Sequence, residues 1–161
     1  GWERKGLNLV VDACQKLLAT KQFYLTIAGR DKKNDVYQER VINSGLSEYV
    51  SFIGVQHLDQ KFYNRFDVLV LPSIYDPFPN AIAEALCSGL FVICSSRSGG
   101  VDFVSSNQIS VADSADDIFG ALVRLITASR CGIKFDESTQ YFRRLFSEDA
   151  IVSAFQGWPE P

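Results

Sequence analysis

The sequence predicts an α/β fold, a parallel sheet with helices on both faces. Strand-like apolar runs alternate with helical stretches along the chain, and no internal repeat or linker divides it. The segment 67–89 reads strand, loop, helix, the order that places a helix N-terminus at the carboxyl edge of a sheet. At 161 residues, 47% hydrophobic and 22% charged, the chain has the size and balance of one globular domain, 1–161, with a sizeable core.

The elements follow in order. Leu7, Val10, Val11, Cys14, Leu17 and Leu18 recur at helical spacing, so a helix is expected over about 6–20. The run 23–28 (FYLTIA) is a strand ending at Gly29. A polar helix over 34–44 is closed by Gly45. The run 49–53 (YVSFI) is the next strand, ending at Gly54, and 57–65 reads as a short helix. A strand at 67–71 leads into a helix over 79–88, and 90–94 (LFVIC) is a buried strand. A short strand at 108–111 precedes a helix over 115–128. A last helix near 136–155 carries Phe142, Leu145, Phe146, Ile151 and Phe155.

The chemistry concentrates in 71–89, LPSIYDPFPNAIAEALCSG. Pro77 and Pro79 suit a first helical turn, where the amide that proline lacks has no partner to lose. The amides of Asn80, Ala81 and Ile82 are then expected as free donors at the positive end of the helix, a place for an anion. Two carboxylates, Asp76 and Glu84, flank this turn. Each also has an ordinary reading, Asp76 as a helix cap and Glu84 as a solvated residue favoured by the helix dipole.

Composition narrows the function. A net charge of −3 and no Lys/Arg run longer than two give little electrostatic support for nucleic-acid binding. No apolar run is long enough to span a bilayer, and no charged-then-apolar leader opens the chain. Cys14, Cys87, Cys94 and Cys131 show no C-x-x-C spacing and His57 is the one histidine, so no metal site is expected. Three of the cysteines lie in apolar periodic segments, which fits buried reduced thiols and a cytoplasmic compartment. There is no methionine, so the chain reads as a piece of a longer protein.

Residues 72–89 also carry a family resemblance. Pro72-Ser73, then Asp76, seven residues, Glu84, and Ala85-Leu86-Cys87-Ser88-Gly89 resemble the signature of retaining nucleotide-sugar glycosyltransferases of family 4. That signature has Glu at both acidic positions; Asp76 is one methylene shorter. Lys5-Gly6, Leu25 to Gly29, Val50 to Gly54, and Arg97 to Gly100 with Asp102 resemble other family motifs in order. The opening Trp2-Glu3-Arg4-Lys5-Gly6 is most similar to the lipopolysaccharide core glucosyltransferase branch. The resemblance implies the C-terminal, donor-binding Rossmann-like half of a GT-B fold, its first strand missing here. The N-terminal acceptor domain would also be absent from this chain.

By the same resemblance, Lys5 meets the donor pyrophosphate together with the amides of Asn80, Ala81 and Ile82, and Glu84 accepts the two ribose hydroxyls. Asp76, in the catalytic position, faces the sugar, while Phe78, Pro79 and Asn80 shape its pocket. Gln56 stands where family members hold the base, or is a plain loop residue. Gly99 and Gly100 allow close backbone approach or a plain tight turn. His57 reads as a cap or surface residue more readily than as a general base. Arg4 is out of register with the family's arginine and takes no role. The implied donor is a nucleotide-sugar, UDP-sugar favoured, with no cofactor and no metal. The implied acceptor is a glycan or lipid-linked molecule, consistent with peripheral membrane association of a longer protein. Competing readings are a nucleotide-sugar epimerase of the same architecture and a non-catalytic α/β module. One histidine is meagre for the first, and a receiver's ordered acidic residues are missing for the second.

Overall fold

The computed structural model describes residues 1–20, 23–77, 79–99, 101 and 108–130, with residues 129 and 130 as backbone only. The helix expected near 136–155 and Cys131 lie outside the described residues, as do Phe78, Gly100 and Asp102. The elements are α1 (Leu7–Leu17), β1 (Leu25–Ala28), α2 (Asn34–Asn43), β2 (Val50–Gly54), α3 (Gln60–Tyr63), β3 (Val68–Leu71), α4 (Asn80–Cys87), β4 (Phe91–Cys94), β5 (Ile109–Val111) and α5 (Ala115–Arg130). Among the described residues all strand pairs are parallel. No helix among the described residues is long and apolar enough to cross a membrane.

Alternation along β3 and β4 explains why both faces need helices. Val68, Val70, Phe91 and Ile93 point into a core with α1 and α5, built around Leu7, Val10, Val11 and Ile118. Leu69, Leu71, Val92 and Cys94 point the other way, onto Tyr63 of α3 and Ile82, Ala85 and Leu86 of α4. Burial pushes the thiols of Cys14 and Cys94 up, to about 12 and about 11, with Asp113 adding to the effect on Cys94. Neither forms the thiolate a nucleophile would need at neutral pH.

The sheet departs from a single continuous ladder. Its strands form two hydrogen-bonded runs, β1–β2 and β3–β4–β5. Leu25, Val50 and Phe52 nevertheless pack into the same core as Val68 and Val70, so side chains hold the two runs together. The position between β1 and β3 is where a doubly wound sheet of this order has its first strand.

The helix expected over 57–65 is a single turn. The Asp59 carboxylate accepts the Phe62 amide at 2.8 Å and fixes the start of α3. The amides of Arg65 and Phe66 close it by bonding Phe62 and Tyr63 carbonyls at 3.3 and 3.0 Å. His57 and Leu58 therefore precede the helix and are exposed. Asp59→Ala is expected to lower stability by about 1 kcal/mol, the usual worth of an N-cap, measurable by urea unfolding. At the start of α5, Ser114 and Asp117 cap each other. The Asp117 amide donates to Ser114 Oγ at 3.1 Å, and the Ser114 amide donates to Asp117 Oδ2 at 3.0 Å.

Candidate functional site

Three chain segments meet at the carboxyl edge of β3 and β4. The first is the turn 1–6. Trp2 anchors it, 8% exposed, with its indole edge-on to Tyr37 (centroids 5.4 Å) and tilted against Phe52 (5.5 Å). The Trp2 amide donates to Asp31 Oδ2 at 2.5 Å, and the Lys33 amide bond, followed by this one, holds the Asp31 carboxyl below its ordinary range. Gly6 ends the turn at φ 75°, and a Cβ there would lie 2.2 Å from the Pro72 carbonyl oxygen. Only glycine permits that approach.

The second segment is the loop after β3. Its Ile74 amide bonds the Arg4 carbonyl at 2.8 Å, and the Arg4 guanidinium donates to the Tyr75 carbonyl at 2.9 Å. The third, after β4, is tied in by Ser95 Oγ, which donates to the Ser73 carbonyl at 2.5 Å. There too the Gly99 amide donates to the Asp76 carbonyl at 2.9 Å, and Asp76 and Ser98 pair as an isolated parallel bridge. Backbone bonds thus hold Asp76 on both sides.

The Asp76 side chain is only 13% exposed and pairs with the Lys5 ammonium, with the Arg4 guanidinium 3.9 Å from Oδ2. It is not a helix cap: Pro79 is the N-cap of α4, with no side-chain bond. Of the three amides expected to be free at this helix end, Ile82 is not, since it bonds the Pro79 carbonyl at 2.9 Å in a tight first turn. Its side chain is 1% exposed in the core, so Ile82 is a packing residue. Among the described residues no group accepts a hydrogen bond from the amides of Asn80 and Ala81.

Glu84 lies one turn into α4, exposed, and Tyr63 donates its phenol to Glu84 Oε2 at 2.8 Å. Gln56, exposed after β2, turns its amide nitrogen back to the Ile53 carbonyl at 2.6 Å. Pro79 is buried beneath the helix start, and Asn80 is exposed beside it.

The structure therefore brings Lys5 and Asp76 together, sets Glu84 on the helix that follows, and leaves Gln56 on its own strand end. Two residues were missed from sequence. Arg4 gains its place from a partner 71 positions away, which no local spacing reveals. Tyr63 sits among aromatic neighbours and meets Glu84 from 21 positions away, a pairing for which the sequence carries no local signal. A groove of about 380 Å³ between α1 and α2, lined by Asp12, Glu39, Arg40 and Ser44 among others, contains none of these residues. The Arg40 guanidinium, the one cation among its lining residues, is engaged by Asp12 at 2.5 Å. Among the described residues no group of three His, Cys, Asp or Glu is placed to hold a metal ion.

Chemically, the edge presents two cations around one buried carboxylate, two helix amides, and a second carboxylate held by a phenol. The chain belongs to the family described as glycosyl transferases group 1, whose model matches residues 1–128. It is 32% identical over 158 residues to the lipopolysaccharide core biosynthesis glycosyltransferase LpsE of Rhizobium meliloti, covering 95% of this chain and 45% of that protein. It is 31% identical over 103 residues to an uncharacterised glycosyltransferase of Methanocaldococcus jannaschii, covering 63% of this chain and 26% of that protein. The chain thus spans less than half the length of these relatives. The fold is similar to that of part of Anabaena HepE, solved in complex with UDP-glucose. The TM-score is 0.79 at 15% identity, covering 97% of this chain and 46% of HepE.

Proposed function

We propose that this chain is the donor-binding half of a retaining, metal-independent glycosyltransferase that takes a nucleotide-sugar, UDP-sugar favoured. One observation carries the proposal: Lys5 and Arg4 converge on Asp76 immediately before the amide-bearing end of α4. Glycosyl transfer leaves a pyrophosphate whose growing charge must meet fixed cations and dipoles. An ammonium has three donors, and Asp76 engages one of them. The remaining donors of Lys5, with the Asn80 and Ala81 amides, can meet phosphate oxygens without a divalent cation. Asp76, continuous with that cluster, would face the sugar and stabilise positive charge at the anomeric carbon. Glu84, one turn deeper, would take the ribose hydroxyls through charge-assisted hydrogen bonds. The UDP-glucose bound to HepE, which shares the fold, supports the choice of donor class.

The acceptor, a glycan or lipid-linked molecule, would be bound by a second domain. The LpsE relative supports a lipopolysaccharide-type acceptor. Such an enzyme would work at the cytoplasmic side of a membrane, with peripheral contact to it.

A thermal-shift panel of UDP, GDP, ADP and their glucose conjugates tests the proposal, with and without EDTA. A nucleotide at 100 times its Kd stabilises the fold by about 2.7 kcal/mol. UDP and UDP-glucose are expected to do so equally in EDTA. The chain alone is expected to transfer no sugar. Stabilisation by none of the six ligands sinks the proposal, and stabilisation that EDTA abolishes and Mn²⁺ restores removes its metal-independent part.

A further inference from the structure

The Tyr63–Glu84 contact joins a rigid group to a mobile one. The phenol ring is 4% exposed, packed among Ile82, Leu86, Val92 and Cys94. Phe62 stands edge-on to it, with centroids 5.8 Å apart. Its backbone belongs to α3, whose start the Asp59 cap fixes. Every part of Tyr63 except its hydroxyl is thus held by packing or by the turn. The hydroxyl leaves this apolar cluster at one point and donates to Glu84 Oε2 at 2.8 Å. Glu84 has the opposite character: it is exposed on α4, between the buried Ala83 and Ala85, and its three side-chain torsions would sample many rotamers in water.

A carboxylate has two oxygens and about four acceptor sites. The phenol occupies one on Oε2, which leaves about three, including both on Oε1. That is enough for the two hydroxyls of a vicinal diol. Burial, and then the hydrogen bond to Glu84, push the Tyr63 phenol above its ordinary range. It therefore stays protonated, and a donor, through neutral pH.

We propose that Tyr63 is a positioning residue whose hydroxyl fixes the Glu84 carboxylate in the orientation that accepts a ribose diol. This rests on the nucleotide-sugar reading of the site. The phenol touches no substrate. It restricts Glu84 before the ligand arrives, so less rotamer freedom is lost on binding.

The test is calorimetry of UDP and 2′-deoxy-UDP on the full chain and its Tyr63→Phe, Glu84→Ala and doubly substituted variants, with melting temperatures taken in parallel. The unsubstituted chain is expected to prefer UDP over 2′-deoxy-UDP by about tenfold, the worth of one charge-assisted hydrogen bond. Tyr63→Phe removes one oxygen and should cut UDP affinity about three- to tenfold, in line with the loss of preorganisation. It should weaken 2′-deoxy-UDP less, so the preference narrows. In the Glu84→Ala background, Tyr63→Phe should change neither affinity. Glu84→Asp keeps the charge but cannot span phenol and diol together. It should lose the preference with Tyr63 intact, which serves if Tyr63→Phe folds poorly.

A Tyr63→Phe variant that keeps the full preference for UDP overturns the proposal. So does an equal affinity loss in the Glu84→Ala background, or a Glu84→Asp variant that retains the preference. If Glu84→Ala itself leaves UDP binding and its preference unchanged, the nucleotide reading of the site fails. If Glu84→Ala abolishes the preference and Tyr63→Phe does not, only the positioning role fails.

Discussion

Gly6→Ala is expected to destabilise the chain more than Gly29→Ala, Gly45→Ala or Gly54→Ala, each also a methyl addition at a left-handed glycine. Two costs combine. The backbone at φ 75° disfavours any Cβ, and the added Cβ would lie 2.2 Å from the Pro72 carbonyl oxygen and 2.9 Å from Pro72 Cγ. Neither atom is the end of a flexible side chain, so the turn must move away from the β3 loop. The left-handed conformation costs about 1–2 kcal/mol and overpacking about 1–3, so a loss of roughly 2–5 kcal/mol is expected. For a chain of this length that corresponds to a melting point lower by roughly 4–20 °C.

Gly54→Ala is the internal control. Its φ is 68° and nothing lies within 4 Å of the added Cβ, so it reports the conformational cost alone. The steric part is the difference between the two variants, read by urea or thermal unfolding. Gly6→Ala should also weaken nucleotide binding even where it remains folded, because Lys5 moves with the turn. A Gly6→Ala variant no less stable than Gly54→Ala would show that the Lys5-Gly6 turn is not clamped against the loop that carries Asp76.

That clamp also marks where sequence reading succeeds and where it stops. The strands were legible because apolar runs such as 68–71 leave little alternative, and their alternation assigns both faces once helices flank them. The start of α3 was not, because apolar periodicity extends to His57 while one local bond, from the Phe62 amide to Asp59, decides the first turn. The break between β1 and β3 is a matter of backbone pairing across the sheet, to which hydropathy patterns are blind; only the family resemblance, which implies a missing first strand, points to it.

In the site, residue types at Lys5, Asp76 and Glu84 were legible, but their partners were not. The resemblance gives Lys5 to phosphate alone, whereas it also pairs with Asp76. The sequence predicts a free amide at Ile82, yet the tight turn at Pro79 uses it. Sequence register gives Arg4 no role, and it stands beside Asp76 through a loop brought back from β3.

The two carboxylates should separate cleanly when each is neutralised. Glu84→Gln keeps the shape and leaves Tyr63 an acceptor, but removes the charge that would hold the ribose. Each bond to a charged group contributes roughly 1.5–3 kcal/mol, so affinities for UDP and for UDP-glucose should fall together, by at least about tenfold. Asp76→Asn acts differently because Asp76 is the counter-charge of Lys5 and Arg4. Removing it raises the local positive charge by one, so affinity for bare UDP should hold or increase. Affinity for UDP-glucose should fall relative to UDP if Asp76 faces the sugar as proposed. In a chain carrying both halves of the enzyme, turnover should drop more than affinity, as for a contact that strengthens in the transition state. Asp76→Glu lengthens the side chain by one methylene toward the residue usual in this family signature, and should support turnover at least as well as Asp76→Asn. Calorimetry with both ligands decides between the roles. Equal losses of bare UDP affinity in Asp76→Asn and Glu84→Gln would mean that both carboxylates serve the nucleotide and neither the sugar. The cluster of Lys5, Arg4 and Asp76 would then be a support for the loop rather than the place where the glycosyl bond is broken.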